Sequence, residues 1–252
     1  MKGVIIVTVG LISLMCAGCK KRPEQTEKSV IQPGVGSMKI LKTDLPLAKQ
    51  EWNPEPPEPS SQAFMVPDGT RLLSRGAKVT SSDEMPITGD LTMITDGNVK
   101  QKYSYHVELL DGLQWVQIDL EKSYAIQAVL VWHYYMPDFV EFDYQAAGEA
   151  PYLARVYQDV VVQISEDSKF EQGVTTIYNS DHDNSSGLGQ GEDVTYIETR
   201  EGRWIAAKGV KGRYVRLYSS GHLLLYGGKD KIPEYRSYLD SNDYVEVEVY
   251  GE

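Results

Sequence analysis

Trp115 to Leu120 reads WVQIDL, and its alternation of apolar and polar residues decides the fold. In an extended chain successive side chains point to opposite faces, so Val116, Ile118 and Leu120 share one face while Gln117 and Asp119 share the other. The same period returns in DVVVQIS with Val160, Val162 and Ile164, and in RYVRLYS with Val215 and Leu217. It returns again in DYVEVEVYGE, where Val245, Val247 and Val249 alternate with Glu246, Glu248 and Tyr250. Gly, Asp, Asn and Ser separate these runs, and none keeps a helical period beyond a turn or two. Short alternating strands punctuated by turn residues predict one all-β antiparallel domain over residues 72–252.

Composition agrees. The chain has 252 residues, 41% of them hydrophobic, which is enough for a substantial core. Seventeen Tyr against four Phe favour sheet faces and wet binding surfaces, where an apolar ring with a polar tip is useful. The net charge of −11 repels polyanions, so nucleic acid is not expected as a partner and neutral or cationic ligands are favoured, while solubility alone explains an acidic surface just as well.

Upstream of the sheet the character changes twice. Met1 and Lys2 precede an apolar run from Gly3 to Met15 that is too short to span a bilayer, and CAGC follows at Cys16–Cys19. Ala17, Gly18 and Cys19 resemble a bacterial lipobox, with Cys16 standing where that motif usually has Leu. The resemblance implies a lipoprotein-type signal over residues 1–19, acylation of Cys19, and a place in the cell envelope facing the periplasm or the exterior, touching the membrane through the lipid anchor only. An ordinary cleaved signal peptide is the alternative. Residues 20–71, including EWNPEPPEPSSQ, are rich in Pro, Glu and Lys, and read as an extended tether. Both cysteines fall within the signal, so the folded part has no disulfide and no Cys-based zinc site.

Seven segments in order, GAKVTSS, ITDGN, WVQIDL, AIQAVLVW, DVVVQISED, GRYVRLY and EVEVYG, resemble the F5/8 type C or discoidin-like domain, the fold of the family 32 carbohydrate-binding modules. That resemblance implies a jelly-roll β-sandwich of two antiparallel sheets, with ligand carried on loops at one end. Many such domains hold a structural calcium, and the matching positions are Asp96 and Asn98 in the TDGN loop with Glu246 on the last strand. A hard cation takes oxygen ligands, so a carboxylate and loop carbonyls suit Ca2+. Read without the resemblance, the same residues are an Asp-Gly turn and a solvated strand Glu.

The resemblance also implies a sugar site near an insert between Trp132 and the DVVVQIS strand, dense in Tyr and acids. His133, Arg155 and Tyr157 flank it, as an imidazole, a guanidinium and an aromatic platform suited to sugar hydroxyls and rings. A structural histidine is the plainer reading of His133. The stretch DHDNSSGLGQGED, Asp181 to Asp193, starts like a calcium loop with Asp181, Asp183 and Ser185 at alternate positions and Glu192 at the twelfth. Its sixth position, however, is Ser186 where Gly belongs, and no helices flank it. Two readings stay open for it: a local network of Asx turns, or Asp181 and Asn184 gripping ligand hydroxyls beside Arg155.

No nucleophile elbow, zinc-binding HExxH or phosphate loop is present, and His106, His133, His182 and His222 lie at no metal-ligand spacing. The reading is therefore a non-catalytic, surface-tethered binding module, with a glycan or polysaccharide as partner. The alternative is a structural or adhesion domain that meets a protein partner through an apolar patch at GHLLLYGGKD.

Overall fold

The computed structural model describes residues 38–41, 64–100, 105–135, 152–199, 201–227, 234–239 and 241–252. The signal, Cys19 and most of the insert after Tyr135 lie outside these residues, as does any anchoring they imply.

The strand that carries WVQIDL is the spine of the molecule. β6 (Gln114–His133) continues through AIQAVLVW without interruption, twenty residues long. Its first half pairs with β4 (Lys78–Ser81) and with the second half of β11 (Arg203–Ser219). Its second half pairs with β14 (Asn242–Gly251) and with the first half of β11. Register shifts separate the halves, and Glu121 on β6 and Lys208 on β11 take positive φ there. Extra residues of this kind bend a strand and change which side chains face inward. Val116, Ile118 and Leu120 face the main core before the bend, whereas Val129 and Val131 face it afterwards.

β3 (Arg71–Leu72), β5 (Val107–Leu109), β8 (Val161–Ser165) and β9 (Thr175–Asn179) complete this antiparallel sheet. A second, four-stranded antiparallel sheet runs in the order β10 (Tyr196–Ile197), β7 (Tyr152–Tyr157), β12 (His222–Gly227), β13 (Glu234–Leu239). Tyr157 and Tyr196 insert from it into the main core, so the architecture is the all-β antiparallel sandwich read from the sequence. A 3-10 helix, Leu91–Thr95, is capped by the Asp90 carboxylate, which accepts from Thr92 N–H at 2.9 Å.

Two expectations change. The tether boundary at residue 71 is too late, because β1 (Met38–Leu41) pairs with β2 (Phe64–Pro67) and Val66 and Thr70 are already buried. MKIL is a short run, and the Pro, Glu and Lys around it hide its strand character. The simple alternation of DYVEVEVYGE also fails. A bulge between Tyr244 and Glu246 turns Val245 onto the opposite face, where it packs with Leu130, Trp132 and Trp204, and carries Glu246 inside.

Truncating Ile118 to Ala, at the centre of the main core, is expected to destabilise the fold by about 2–5 kcal/mol. Val194→Ala, at a side chain 69% exposed, is expected to stay within about 0.5 kcal/mol. Urea denaturation midpoints measure both.

Candidate functional site

Three of the residues expected to grip ligand are interior instead. The end of β6 runs beneath the four-stranded sheet, which places His133 at 0% exposure, stacked on Tyr157 at 4.1 Å and close to Tyr196 and Tyr244. Its backbone N–H donates to Glu198 Oε2 at 2.8 Å, and its ring Nδ1 lies 3.4 Å from the same oxygen. That spacing would suit an ion pair. Burial overrides it, pushing Glu198 up to about 8 and His133 down to about 3, so both are neutral near pH 7. Arg155, on β7, donates from Nη1 to Asp243 Oδ2 at 2.7 Å and stacks over Tyr134. Burial opposes its charge, but Tyr157 and Asp243 beside it outweigh that and hold it ionised. The Tyr157 hydroxyl donates to the carbonyls of Tyr134 and Asp243. His133, Arg155 and Tyr157 thus form a buried polar core, from which Tyr157 also contributes to the lining of the cleft described below, and the plainer reading of His133 is the one the packing supports.

The expected calcium positions are brought together in part. Gly97 N–H donates to Glu246 Oε2 at 2.9 Å, joining the TDGN loop to the last strand. Glu246 is fully buried, and its Oε1 has no hydrogen-bond partner among the described residues. Burial pushes it up to about 8, with Glu248 and Asp96 adding repulsion that Arg75 and the Gly97 N–H offset in part. Asp96 accepts from Asn98 N–H and from the Tyr105 hydroxyl. Asn98 is turned back into its own loop, with Oδ1 accepting from Lys100 N–H at 3.1 Å. Gly97 suits this place because its φ is +89°, and a Cβ there would also displace the Arg75 guanidinium. An orphaned, buried carboxylate oxygen beside a carbonyl-bearing loop fits a hard cation, and Arg75 supplies competing positive charge at the same place.

The Asp181 to Asp193 stretch closes on itself. Asp181 accepts from the N–H groups of Ser185 and Ser186, at 3.1 and 2.9 Å, and from the Ser186 hydroxyl. Burial works against its charge, yet these donors hold it below the usual carboxylate range. Asn184 adopts φ +62° and accepts from Gly189 N–H at 2.8 Å, and His182 Nε2 lies 2.8 Å from the Asp193 carbonyl. Asp181, which is buried, and Asn184, which is exposed, therefore both build the turn network.

What that network shapes is an open cleft of about 270 Å³, lined by Gln158, Asp159, Ser180, His182, Asp183 and Leu223 among others. The carboxylates of Asp159, Asp181 and Asp183 offer oxygens within 4.8 Å of one another, and burial raises the Asp159 carboxyl above its ordinary range. Gln158 and Asp159, in the turn after β7, were missed by the sequence reading, since nothing in RVYQDVVVQIS separates a turn acid from any other. Leu223, from the stretch read as a protein-binding patch, lines this cleft instead of lying on a flat surface.

No family model matches the chain, and no curated protein matches it. Among solved structures it is similar to a Streptococcus pneumoniae fucose-binding module, at 15% identity over 72% of this chain and 98% of that one, with a TM-score of 0.43 to 0.44 for this and the next group. It is similar to a Clostridium perfringens family 89 glycoside hydrolase at 14% identity over 72% of this chain, and it spans only 14% of the hydrolase's length. A chitosan-binding module from a Paenibacillus chitosanase/glucanase gives 17% identity over 72% and 99% of the two chains, with a TM-score of 0.42.

Burial of these groups sets a pH response. His133 and His222 are held neutral, at about 3 and about 4 against an ordinary 6.5, so the folded chain binds fewer protons than the unfolded one and loses stability as pH falls below 6.5. Glu198 and Glu246, at about 8 against an ordinary 4.5, keep protons that the unfolded chain releases, so stability falls as pH rises from 4.5 towards 8. From 4.5 to 6.5 the two histidines and two glutamates offset each other. Denaturation in chelator at about pH 4, 5.5 and 8.5 is expected to show the greatest stability at the middle value. Arg155→Ala, which strands the buried Asp243 carboxylate, is expected to cost about 3–5 kcal/mol by urea denaturation.

Proposed function

We propose that this chain is a non-catalytic carbohydrate-binding module that takes its sugar in the cleft between Gln158–Asp159 and the Ser180–Asp183 turn. The observation that carries the proposal is the lining of that cleft. Gln158, Asp159 and Asp183, which carry carboxylate and amide oxygens, line it together with Leu223, a set that suits the hydroxyl or ammonium donors of a sugar and its C–H face. With a net charge of −11, neutral or amino sugars are favoured over acidic ones. The turn network holds these groups in place before ligand arrives, which lowers the ordering cost of binding.

Two further features belong to the same proposal. Glu246, with carbonyls of the Asp96 loop, would hold Ca2+ and staple the last strand to that loop, supported by the orphaned Glu246 Oε1. Acylated Cys19 would fix the domain to the cell envelope, supported by the apolar run and CAGC that precede the polar segment.

A glycan array probed with the full chain tests the sugar site. Binding is expected, with Asp159→Ala and Asp183→Ala weakening it at least about tenfold, the loss of roughly 1.4 kcal/mol of charge-assisted hydrogen bonding. Lys122→Ala, away from the cleft, is expected to bind as the parent does. A folded chain that binds no glycan overturns the proposal.

Thermal melts test the cation. Calcium at about a hundred times its Kd at pH 8 is expected to stabilise the chain by about 2.7 kcal/mol, and the same concentration to stabilise it less at pH 6, because the ligand carboxylate must be ionised. Glu246→Gln is expected to raise stability in chelator at pH 8, by removing a buried charge, and to abolish the calcium response. An unchanged response in that variant would exclude Glu246 as a ligand.

A further inference from the structure

A second cluster lies where β5 meets β14. The antiparallel register sets Asp243 directly opposite Glu108, and His106 stands two residues before Glu108, in the bend that leads into β5. The side chains converge: His106, Glu108 and Asp243 each offer a ligand atom, all within 4.8 Å of one another. His106 and Asp243 are 5% and 4% exposed, and Glu108 is partly open to solvent.

One atom in this cluster lacks a role. Asp243 Oδ2 accepts from Arg155 Nη1 at 2.7 Å, but Oδ1 is buried with no hydrogen-bond partner among the described residues. A buried acceptor left unmet is costly, and native structures seldom carry one without a reason. The other groups are already steadied as metal ligands usually are. Thr88 Oγ1 donates to Glu108 Oε2 at 2.9 Å, Arg155 fixes Asp243, and the His106 ring lies parallel to Tyr134 at 4.4 Å.

We infer that His106, Glu108 and Asp243 bind a divalent transition-metal cation of the zinc class. An imidazole nitrogen with two carboxylate oxygens is a donor set for zinc or its neighbours, whereas calcium and magnesium take oxygen alone. Three protein ligands leave a fourth position, and the partly exposed Glu108 side gives the ion a way in. Glu246, three residues along β14, belongs to a different site with an all-oxygen donor set, so the two cations are separable by chemistry.

Isothermal titration of zinc into the chelator-stripped full chain, with calcium restored in excess, tests the inference. A single saturable zinc site is expected, weakened at least about tenfold by His106→Asn and by Glu108→Gln, and unchanged by Asp183→Asn at the other carboxylate cluster. Glu108→Gln is the decisive variant, because its partly exposed side chain leaves the core intact, as circular dichroism would confirm. Cobalt(II) in place of zinc gives an independent readout, broadening the His106 ring resonances in NMR spectra. Absence of saturable zinc binding, or undiminished affinity in Glu108→Gln, overturns the inference.

Discussion

A strand of twenty residues must find hydrogen-bond partners for every backbone group along two edges and cover for side chains on two faces. β6 meets that demand by changing partners halfway, from β4 to β14 on one edge, while β11 follows it along the other. The change requires a bend, and the bend requires residues out of register, which is why Glu121 and Lys208 sit at positive φ in the midst of long strands. After it, both faces are filled: Val129 and Val131 enter the main core, while Ala128, Leu130 and Trp132 pack with Trp204 and Val245 on the other side. Everything at the far end of β6, including the buried polar groups, inherits its position from this one path.

The first half of that path was legible in the sequence. WVQIDL and DVVVQIS show which residues face the core because the strands are short, regular and polar on the other face. AIQAVLVW was not legible in the same way, since a run buried on both faces carries no alternation to read. The bulge in DYVEVEVYGE was hidden for a related reason: a sequence with period two is unchanged in appearance when one residue is looped out, yet every side chain beyond it moves to the other face. The Asp96 to Glu246 approach could be expected only through the family resemblance, because the two residues lie far apart in the chain and each alone is an ordinary turn or strand residue.

Residue chemistry alone misplaced the ligand grips for an electrostatic reason. His, Arg and Tyr beside an acid look like a sugar site, but the same types also make a satisfied interior. Arg155 keeps its charge inside because Asp243 supplies the counter-charge at 2.7 Å. His133 and Glu198 lack so strong a partner and instead give up theirs, so that desolvation is avoided by neutrality. Composition cannot tell these outcomes apart. Depth decides between them, and depth is set by where β6 runs beneath the four-stranded sheet.

The acidic loop shows the converse division of labour. Asp181 resembles a metal ligand by spacing, yet Ser185 and Ser186 already fill its oxygens, and Asn184 is likewise committed to Gly189. Satisfying backbone donors locally leaves the loop needing no cation to hold its shape. Asp183 and His182 also take part in that network, through Ser185 N–H and the Asp193 carbonyl, and stand at the cleft as well. A loop that carries four acids thus spends some of them on its own geometry, and the rigidity so gained is what lets the remaining polar groups present a fixed surface to a ligand.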